Sequence, residues 1–211
     1  MASLTAVEMG ETGVARAADG RLTANGLGAC VGLCLYEAAA RIAVLVHVVL
    51  PATLPLSPAR PSSAAHPPFT PPPGKCADTA LAHALAEIVR QGGQVGRVEA
   101  ALVGGAQIFS APGGDAAPPS RLEIGQRNVL ALKEELGRAG VTLRAEDTGG
   151  HGGRTVALDA STGAVSVRPV GLGERLLITL GQQVPEEKTP GRKTPSSEAV
   201  SHGEGVFACA A

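Results

Sequence analysis

Two alternating apolar runs, joined by a short alanine-rich stretch, constrain this chain more than any other feature. Val31, Leu33 and Leu35 alternate with Gly32, Cys34 and Tyr36, and Ile42, Val44, Val46, Val48 and Leu50 alternate with Ala43, Leu45, His47 and Val49. Alternation with period two is the mark of a strand, so the segment reads as a β-hairpin. A tight turn at Ala38-Ala39 sets Glu37 against Ala40 and pairs Leu35 with Ile42, Leu33 with Val44 and Val31 with Val46. One face is then wholly aliphatic. Continuing that ladder places Cys30 opposite His47 on the other face, with Cβ atoms roughly 4.5–5.5 Å apart, as expected of facing residues. A thiol beside an imidazole is an activated nucleophile, and a lowered thiolate pKa would make Cys30 alkylate much faster than Cys34 or Cys76. A slip of one residue would turn His47 to the wrong face, so the pairing stands on the turn.

The 211 residues, 44% of them hydrophobic, suffice for one sizeable core. Aromatic residues make up only 2% of the chain, so Val, Leu, Ile and Ala must build that core, and no stacking platform for nucleic-acid bases exists. Eighteen basic against nineteen acidic residues leave no electrostatic footprint for nucleic acid or anionic lipid. Met1 to Val14 lacks a cationic region followed by an apolar one, and no stretch approaches the roughly 18 apolar residues of a spanning helix; a soluble cytoplasmic protein is expected. Cys30, Cys34, Cys76 and Cys209 are too few and too unevenly spaced for a disulfide framework. On one strand, Cys30 and Cys34 would stand about 13 Å apart, too far for a disulfide or a shared metal. Cys34 and Cys76 read as small apolar fillers.

Pro51 to Gly74 holds nine prolines and reads as a surface insertion or flap near His47. A helix capped by Asp78 or Thr79 and running through Gln91 is expected to bury Leu81, Leu85, Ile88 and Val89 and to stop at Gly92-Gly93. Val98 to Val103 reads as a strand ending at Gly104-Gly105-Ala106, and Ala111 to Ser120 as a loop. A second helix, Ile124 to Ala139, turns Val129, Leu132 and Leu136 inward and ends at Gly140. Val141 to Ala145 is the next strand. Glu146 to Arg154 forms a glycine-rich loop, Thr155 to Leu158 and Ala164 to Arg168 a hairpin, and Arg175 to Leu180 a last strand. The expected architecture is an α/β fold of the α+β type, a sandwich of helices packed on a mostly antiparallel β-sheet. One domain spans residues 1–180, with residues 51–74 as its insertion, and residues 181–211 form a disordered tail.

Several of these segments together resemble the chemoreceptor glutamine deamidases, the CheD family of bacterial chemotaxis. The resemblance runs through Gly26-Leu27-Gly28-Ala29-Cys30-Val31, Cys34-Leu35-Tyr36 and Val46-His47-Val48-Val49-Leu50-Pro51. It continues through Lys75-Cys76-Ala77-Asp78-Thr79-Ala80, Gly104-Gly105-Ala106, Ile124-Gly125-Gln126-Arg127-Asn128, Ala145-Glu146-Asp147-Thr148-Gly149-Gly150 with Arg154, and Gly171-Leu172-Gly173-Glu174. Any one of these is weak alone; in order from Gly26 to Glu174 they are specific. The resemblance implies a CheD-like fold and conversion of glutamines on methyl-accepting chemotaxis receptors to glutamate, with Cys30 as nucleophile and His47 as base. It implies no metal or organic cofactor. It also implies two partners: the receptors, and a CheC-type phosphatase. Gly28, Ala29 and Cys30 could hold the oxyanion through backbone N–H groups.

Two departures from the family pattern stand out. Ala29 replaces the serine usual before the cysteine, and Ala24 replaces a threonine six positions before it. If that threonine orients the histidine, Thr23 or Asn25 must substitute as third member from a neighbouring position. A weakly active or inactive scaffold that binds receptors or the phosphatase is the alternative reading. A thiol redox sensor built on Cys30 and Cys34 is a third, disfavoured by their spacing. Asp78, Arg127 and Asn128 read as helix-end residues, and the Glu146 to Arg154 loop as a tight connection or an anion nest. His66, His83, His151 and His202 have no identifiable partner in the sequence.

Overall fold

The computed structural model describes residues 3–52, 71–107 and 124–182. Most of the proline-rich insertion, the loop at 111–120, the C-terminal tail, His66, His202 and Cys209 lie outside the described residues. Ten strands and two α-helices follow in the order β1 (Leu4–Ala6), β2 (Thr12–Arg16), β3 (Arg21–Leu27), β4 (Val31–Glu37), β5 (Ile42–Val48), α1 (Ala77–Arg90), β6 (Val98–Gly104), α2 (Ile124–Ala139), β7 (Thr142–Thr148), β8 (Arg154–Asp159), β9 (Ala164–Pro169) and β10 (Arg175–Thr179). They form two five-stranded sheets, β2-β5-β4-β6-β7 and β1-β3-β8-β9-β10. All pairings are antiparallel except β6 with β7 and β1 with β3.

The expected α+β character holds, but there are two sheets where one was expected, and the layers run helices, first sheet, second sheet. The aliphatic face of β4 and β5 (Val31, Leu33, Leu35, Val44, Val46, Val48) packs on Ala80, Leu81, Ala84 and Ile88 of α1 and on Val129, Leu132 and Leu136 of α2. The opposite face, with Cys34, Tyr36, Ala43 and Leu45, packs on Leu22, Ala24, Leu27, Val156, Leu158, Val165 and Val167 of the second sheet. Every residue of β4 and β5 is therefore buried, which is why these runs carry apolar residues on both faces.

The hairpin register differs from the sequence expectation by two residues. Glu37 pairs with Ile42, Leu35 with Val44, Leu33 with Val46 and Val31 with Val48, so His47 faces Gly32 rather than Cys30. The cause is the turn. It takes the four residues Ala38–Arg41 instead of two, with the Glu37 carboxylate accepting the Ala40 N–H at 2.6 Å and Arg41 at a φ of 51°. A shift of two preserves which face each side chain occupies, so the aliphatic face survives.

Helix α2 has the expected bounds and buries the expected Val129, Leu132 and Leu136. In α1, Cys76 is the N-cap, not Asp78 or Thr79, and it makes no side-chain cap bond; the Thr79 hydroxyl bonds back to the Pro73 carbonyl at 2.8 Å. Val89 is exposed, and Ala77, Ala80 and Ala84 line the buried stripe with Leu81 and Ile88. The chain leaves β5 and returns to α1 at one place. The N–H groups of Val49 and Leu50 both reach the Lys75 carbonyl (2.9 and 3.0 Å), and the Ala77 N–H reaches the Leu50 carbonyl at 2.9 Å.

Candidate active site

Strands β3 and β4 lie in different sheets, so Gly28-Ala29-Cys30 must cross between layers. The crossing is tied down from several directions. The Cys30 carbonyl accepts the Gly105 N–H at 2.8 Å, and the Gly28 carbonyl accepts the Ala106 N–H at 2.7 Å. The Gly28 N–H donates to the Gly26 carbonyl at 2.8 Å, and Asn128 of α2 bonds the Ala29 carbonyl at 2.9 Å. Close approach requires glycine here. Gly104 has a φ of 118°, and a Cβ on it would overlap the Cys30 carbonyl oxygen. A Cβ on Gly125, in the first turn of α2, would lie 2.7 Å from the Gly105 carbonyl carbon.

A second tier supports the first. The Gly149 N–H donates to the Gly104 carbonyl (2.9 Å), and the Gln107 N–H to the Gly150 carbonyl (2.8 Å). The buried Arg154 guanidinium closes this loop by donating to the Asp147 carboxylate (2.8 Å) and to the Asp147 and Gly149 carbonyls (2.5 and 2.6 Å), while Arg175 pairs with the other Asp147 oxygen. Gly104-Gly105-Ala106, Gly125 and Gly149-Gly150, all singled out in the sequence, thus brace the backbone around Cys30. Glu146 to Thr148, expected in the loop, instead complete β7 beside β6.

His47 is held by an N-terminal segment to which the sequence reading assigned no structure. Its N–H donates to the Glu11 carbonyl (3.1 Å), and its carbonyl accepts the Gly10 N–H (2.9 Å). Its Nδ1 lies 3.3 Å from the Val7 carbonyl. A carbonyl can only accept, so the contact places the ring proton on Nδ1 and leaves Nε2 with a free lone pair. Nε2 is buried and, among the described residues, has no hydrogen-bond partner. Burial lowers the His47 pKa from its ordinary 6.5, the Val7 carbonyl and Glu8 opposing it, so the ring is neutral at pH 7.

Cys30 stands two residues before Gly32, the residue that His47 faces, and it packs against the same inter-sheet core. Cys30 lies one residue outside the β4–β5 ladder, whose last pair is Val31 with Val48, and a Cβ on Gly32 would lie 2.9 Å from the Val156 side chain, so the position that His47 faces has no room for a larger residue. Thr23 and Asn25 are engaged elsewhere: the Thr23 hydroxyl donates to the Val156 carbonyl at 3.0 Å, and Asn25, exposed, accepts from the Thr155 hydroxyl at 3.4 Å. Ala24 lies in the inter-sheet core. A one-residue bulge in β3, between Ala24 and Leu27, lengthens the path from Thr23 to Cys30. No sequence signal pointed to Val7 as the residue in contact with Nδ1, because main-chain carbonyls carry none.

The expectation of a lowered Cys30 pKa is overturned. Burial raises the thiol above its ordinary 9.0, and the Cys30 backbone N–H pulls it back only in part. Cys34, sealed between the sheets, is pushed up to about 12. Cys76 is buried at 2% exposure. Iodoacetamide at pH 8 is therefore expected to label the partly buried Cys30 first and to leave the buried Cys34 and Cys76 unmodified in the folded protein, read by peptide mass spectrometry. Equal labelling of all three would contradict this placement.

Among the described residues no group of three His, Cys, Asp or Glu side chains is placed to hold a metal ion, and no helix is long and apolar enough to cross a membrane. The family model described as "CheD chemotactic sensory transduction" matches residues 57–169, a stretch that begins after Cys30 and His47. A probable chemoreceptor glutamine deamidase CheD of Syntrophomonas wolfei is 36% identical over 177 residues, 84% of this chain and 100% of that protein. A probable chemoreceptor glutamine deamidase CheD of Symbiobacterium thermophilum is 42% identical over 174 residues, 82% of this chain and 97% of its own length. The chemoreceptor glutamine deamidase CheD of Thermotoga maritima is 38% identical over 159 residues, 75% of this chain and 88% of the relative. With more than half its length matched by the family model and near-complete relatives above 30% identity, this chain belongs to the CheD family.

Proposed function

We propose that this protein is a hydrolase that deamidates specific glutamines of methyl-accepting chemotaxis receptors, with Cys30 as nucleophile and His47 as general base and acid. A CheC-type phosphatase is its proposed second partner. The observation that carries the residue assignment is the buried Nε2 of a neutral His47, without a hydrogen-bond partner among the described residues, at a strand position facing Gly32, two residues from the partly buried Cys30. With the thiol raised and the imidazole lowered, the resting pair is neutral rather than a thiolate–imidazolium ion pair.

The steps follow from that state. Cys30 Sγ attacks the glutamine carboxamide carbon while Nε2 takes the thiol proton. The imidazolium then returns this proton to the amide nitrogen, ammonia leaves, and a thioester joins Cys30 to the receptor. Nε2 next removes a proton from water, whose oxygen adds to the thioester carbon. Collapse returns the proton to sulfur and yields glutamate. The Val7 carbonyl holds Nδ1–H throughout, the orienting task given to Thr23 in the sequence reading. Of the proposed oxyanion donors, the Gly28 N–H is committed to Gly26, so the assignment narrows to the N–H of Cys30 itself, with Ala29 beside it.

The test is mass spectrometry of a cognate receptor cytoplasmic domain after incubation with the full chain. Glutamine-to-glutamate mass gain at discrete sites, with ammonia released in equal amount, is expected. No gain on a receptor shown to bind the protein would overturn the reading in favour of a scaffold, and Ala24 in the inter-sheet core, where the family carries threonine, is the feature favouring that outcome.

A further inference from the structure

We propose that Asn128 is a positioning residue for Cys30, holding the Ala29–Cys30 peptide in the orientation that turns the Cys30 N–H toward the thiol and the forming oxyanion. The inference rests on the deamidase reading above. Beyond the Val31–Val48 pair, β4 and β5 part: Val49 and Leu50 turn their N–H groups to Lys75, while Cys30 and Gly28 bond the Gly105-Ala106 segment. Asn128 fills the resulting gap. It is fully buried, and its Nδ2 donates to the Ala29 carbonyl at 2.9 Å and to the Val49 carbonyl at 3.0 Å. A planar amide NH2 offers two donors from one atom; aspartate offers only acceptors and serine a single donor. Asn128 Oδ1 has no partner among the described residues, so the side chain acts here as a donor alone.

The consequence for Cys30 follows from peptide geometry. In a trans peptide the C=O and N–H point in opposite directions across one plane. The Ala29 carbonyl is held toward α2 on the helix side of the first sheet, so the N–H of the same peptide is directed to the inter-sheet side, where Cys30 packs. That N–H lies against its own sulfur and favours the thiolate. Helix α2 can hold the donor in place because Gly125, one turn before, seats it directly on Gly105. The titratable side chain across β5 is His47, neutral at pH 7 and itself influenced by Glu8, so a change in the thiol midpoint on substitution reports the peptide orientation.

The test compares the full chain with Asn128→Ala and with the isosteric Asn128→Asp, following the pH dependence of Cys30 alkylation and the kinetics of receptor deamidation. Both variants are expected to move the thiol midpoint upward and to lower kcat by roughly a hundredfold with KM little changed, the scale of a small misplacement at the reacting centre. A folded variant with reduced Tm but wild-type thiol midpoint and kcat would overturn the proposal. Should neither variant fold, 15N NMR of the wild-type protein decides: the Asn128 side-chain amide signals are expected to titrate with the Cys30 midpoint, and their invariance through it would overturn the proposal. Wild-type protein without deamidase activity would remove the deamidase reading, while the alkylation and NMR data would still judge the positioning.

Discussion

Cys30→Ala is expected to abolish receptor deamidation, and His47→Ala to slow it by roughly 10²–10⁴-fold, the usual range for losing a general base. Both proteins should keep the fold. Cys30 is only partly buried, so its loss opens no sealed cavity. His47 contributes a buried Nε2 with no partner among the described residues, so its removal leaves no widowed hydrogen-bond group on that side of the ring. The pH profile is part of the same prediction. Deamidation requires neutral imidazole, so the wild-type rate should rise as pH climbs through the depressed His47 pKa, below 6.5, and the acid limb should vanish in His47→Ala. Stability follows the same sign. A histidine kept neutral by burial contributes fully above its unfolded value of 6.5, and that contribution is lost as pH falls through the lower folded value. Steady-state rates and denaturation midpoints between pH 5 and pH 9 check both claims. An unchanged acid limb in the His47 variant would remove it from the chemistry.

Gly104→Ala is expected to cost on the order of 2–4 kcal/mol of stability, combining a backbone conformation closed to L-residues with a steric clash. The φ of 118° admits glycine alone, and the new methyl would fall on the Cys30 carbonyl oxygen. Relief of that clash must move the Cys30 segment, so activity should drop further than stability does. Gly137→Ala is the control: it sits in α2 with open space around its Cβ position and should stabilise the protein by about 0.5–1 kcal/mol. Chemical denaturation with unchanged slope, run beside the deamidation assay, measures both. Wild-type activity in Gly104→Ala would show that the Cys30 backbone is less constrained than its hydrogen bonds indicate.

The parts of this fold that were legible in the sequence are those where burial imposes a period. Helix α2 could be read to the residue because a polar surface face contrasts with Val129, Leu132 and Leu136, and Gly140 stops it. Strands β4 and β5 were equally plain. Their register was not, because Ala38 to Arg41 contains none of the turn chemistry that marks a loop length; Arg41 accepts a left-handed φ that its identity does not announce. β1, β2 and β3 were missed for a different reason. Thr12 to Arg16 and Arg21 to Leu27 mix glycine, alanine and charge, and they pair only because partners elsewhere in the chain supply the apolar surface. In the candidate site, Cys30 and His47 were singled out by residue type, whereas Val7 and the two donor contacts of Asn128 act through main-chain carbonyls and were invisible until the chain was folded.

The bonds that bring Val49 and Leu50 to Lys75 hold the two ends of residues 51–74 together independently of whatever length lies between them. Once the ends are fixed, the entropy of closing a connection grows only with the logarithm of its length, at about 0.6 kcal/mol per doubling. The core is thereby insulated from insertions and deletions at this point. A reporter peptide or a small domain spliced there would burden folding little, which makes this junction a place where the chain can be extended without redesigning the sandwich.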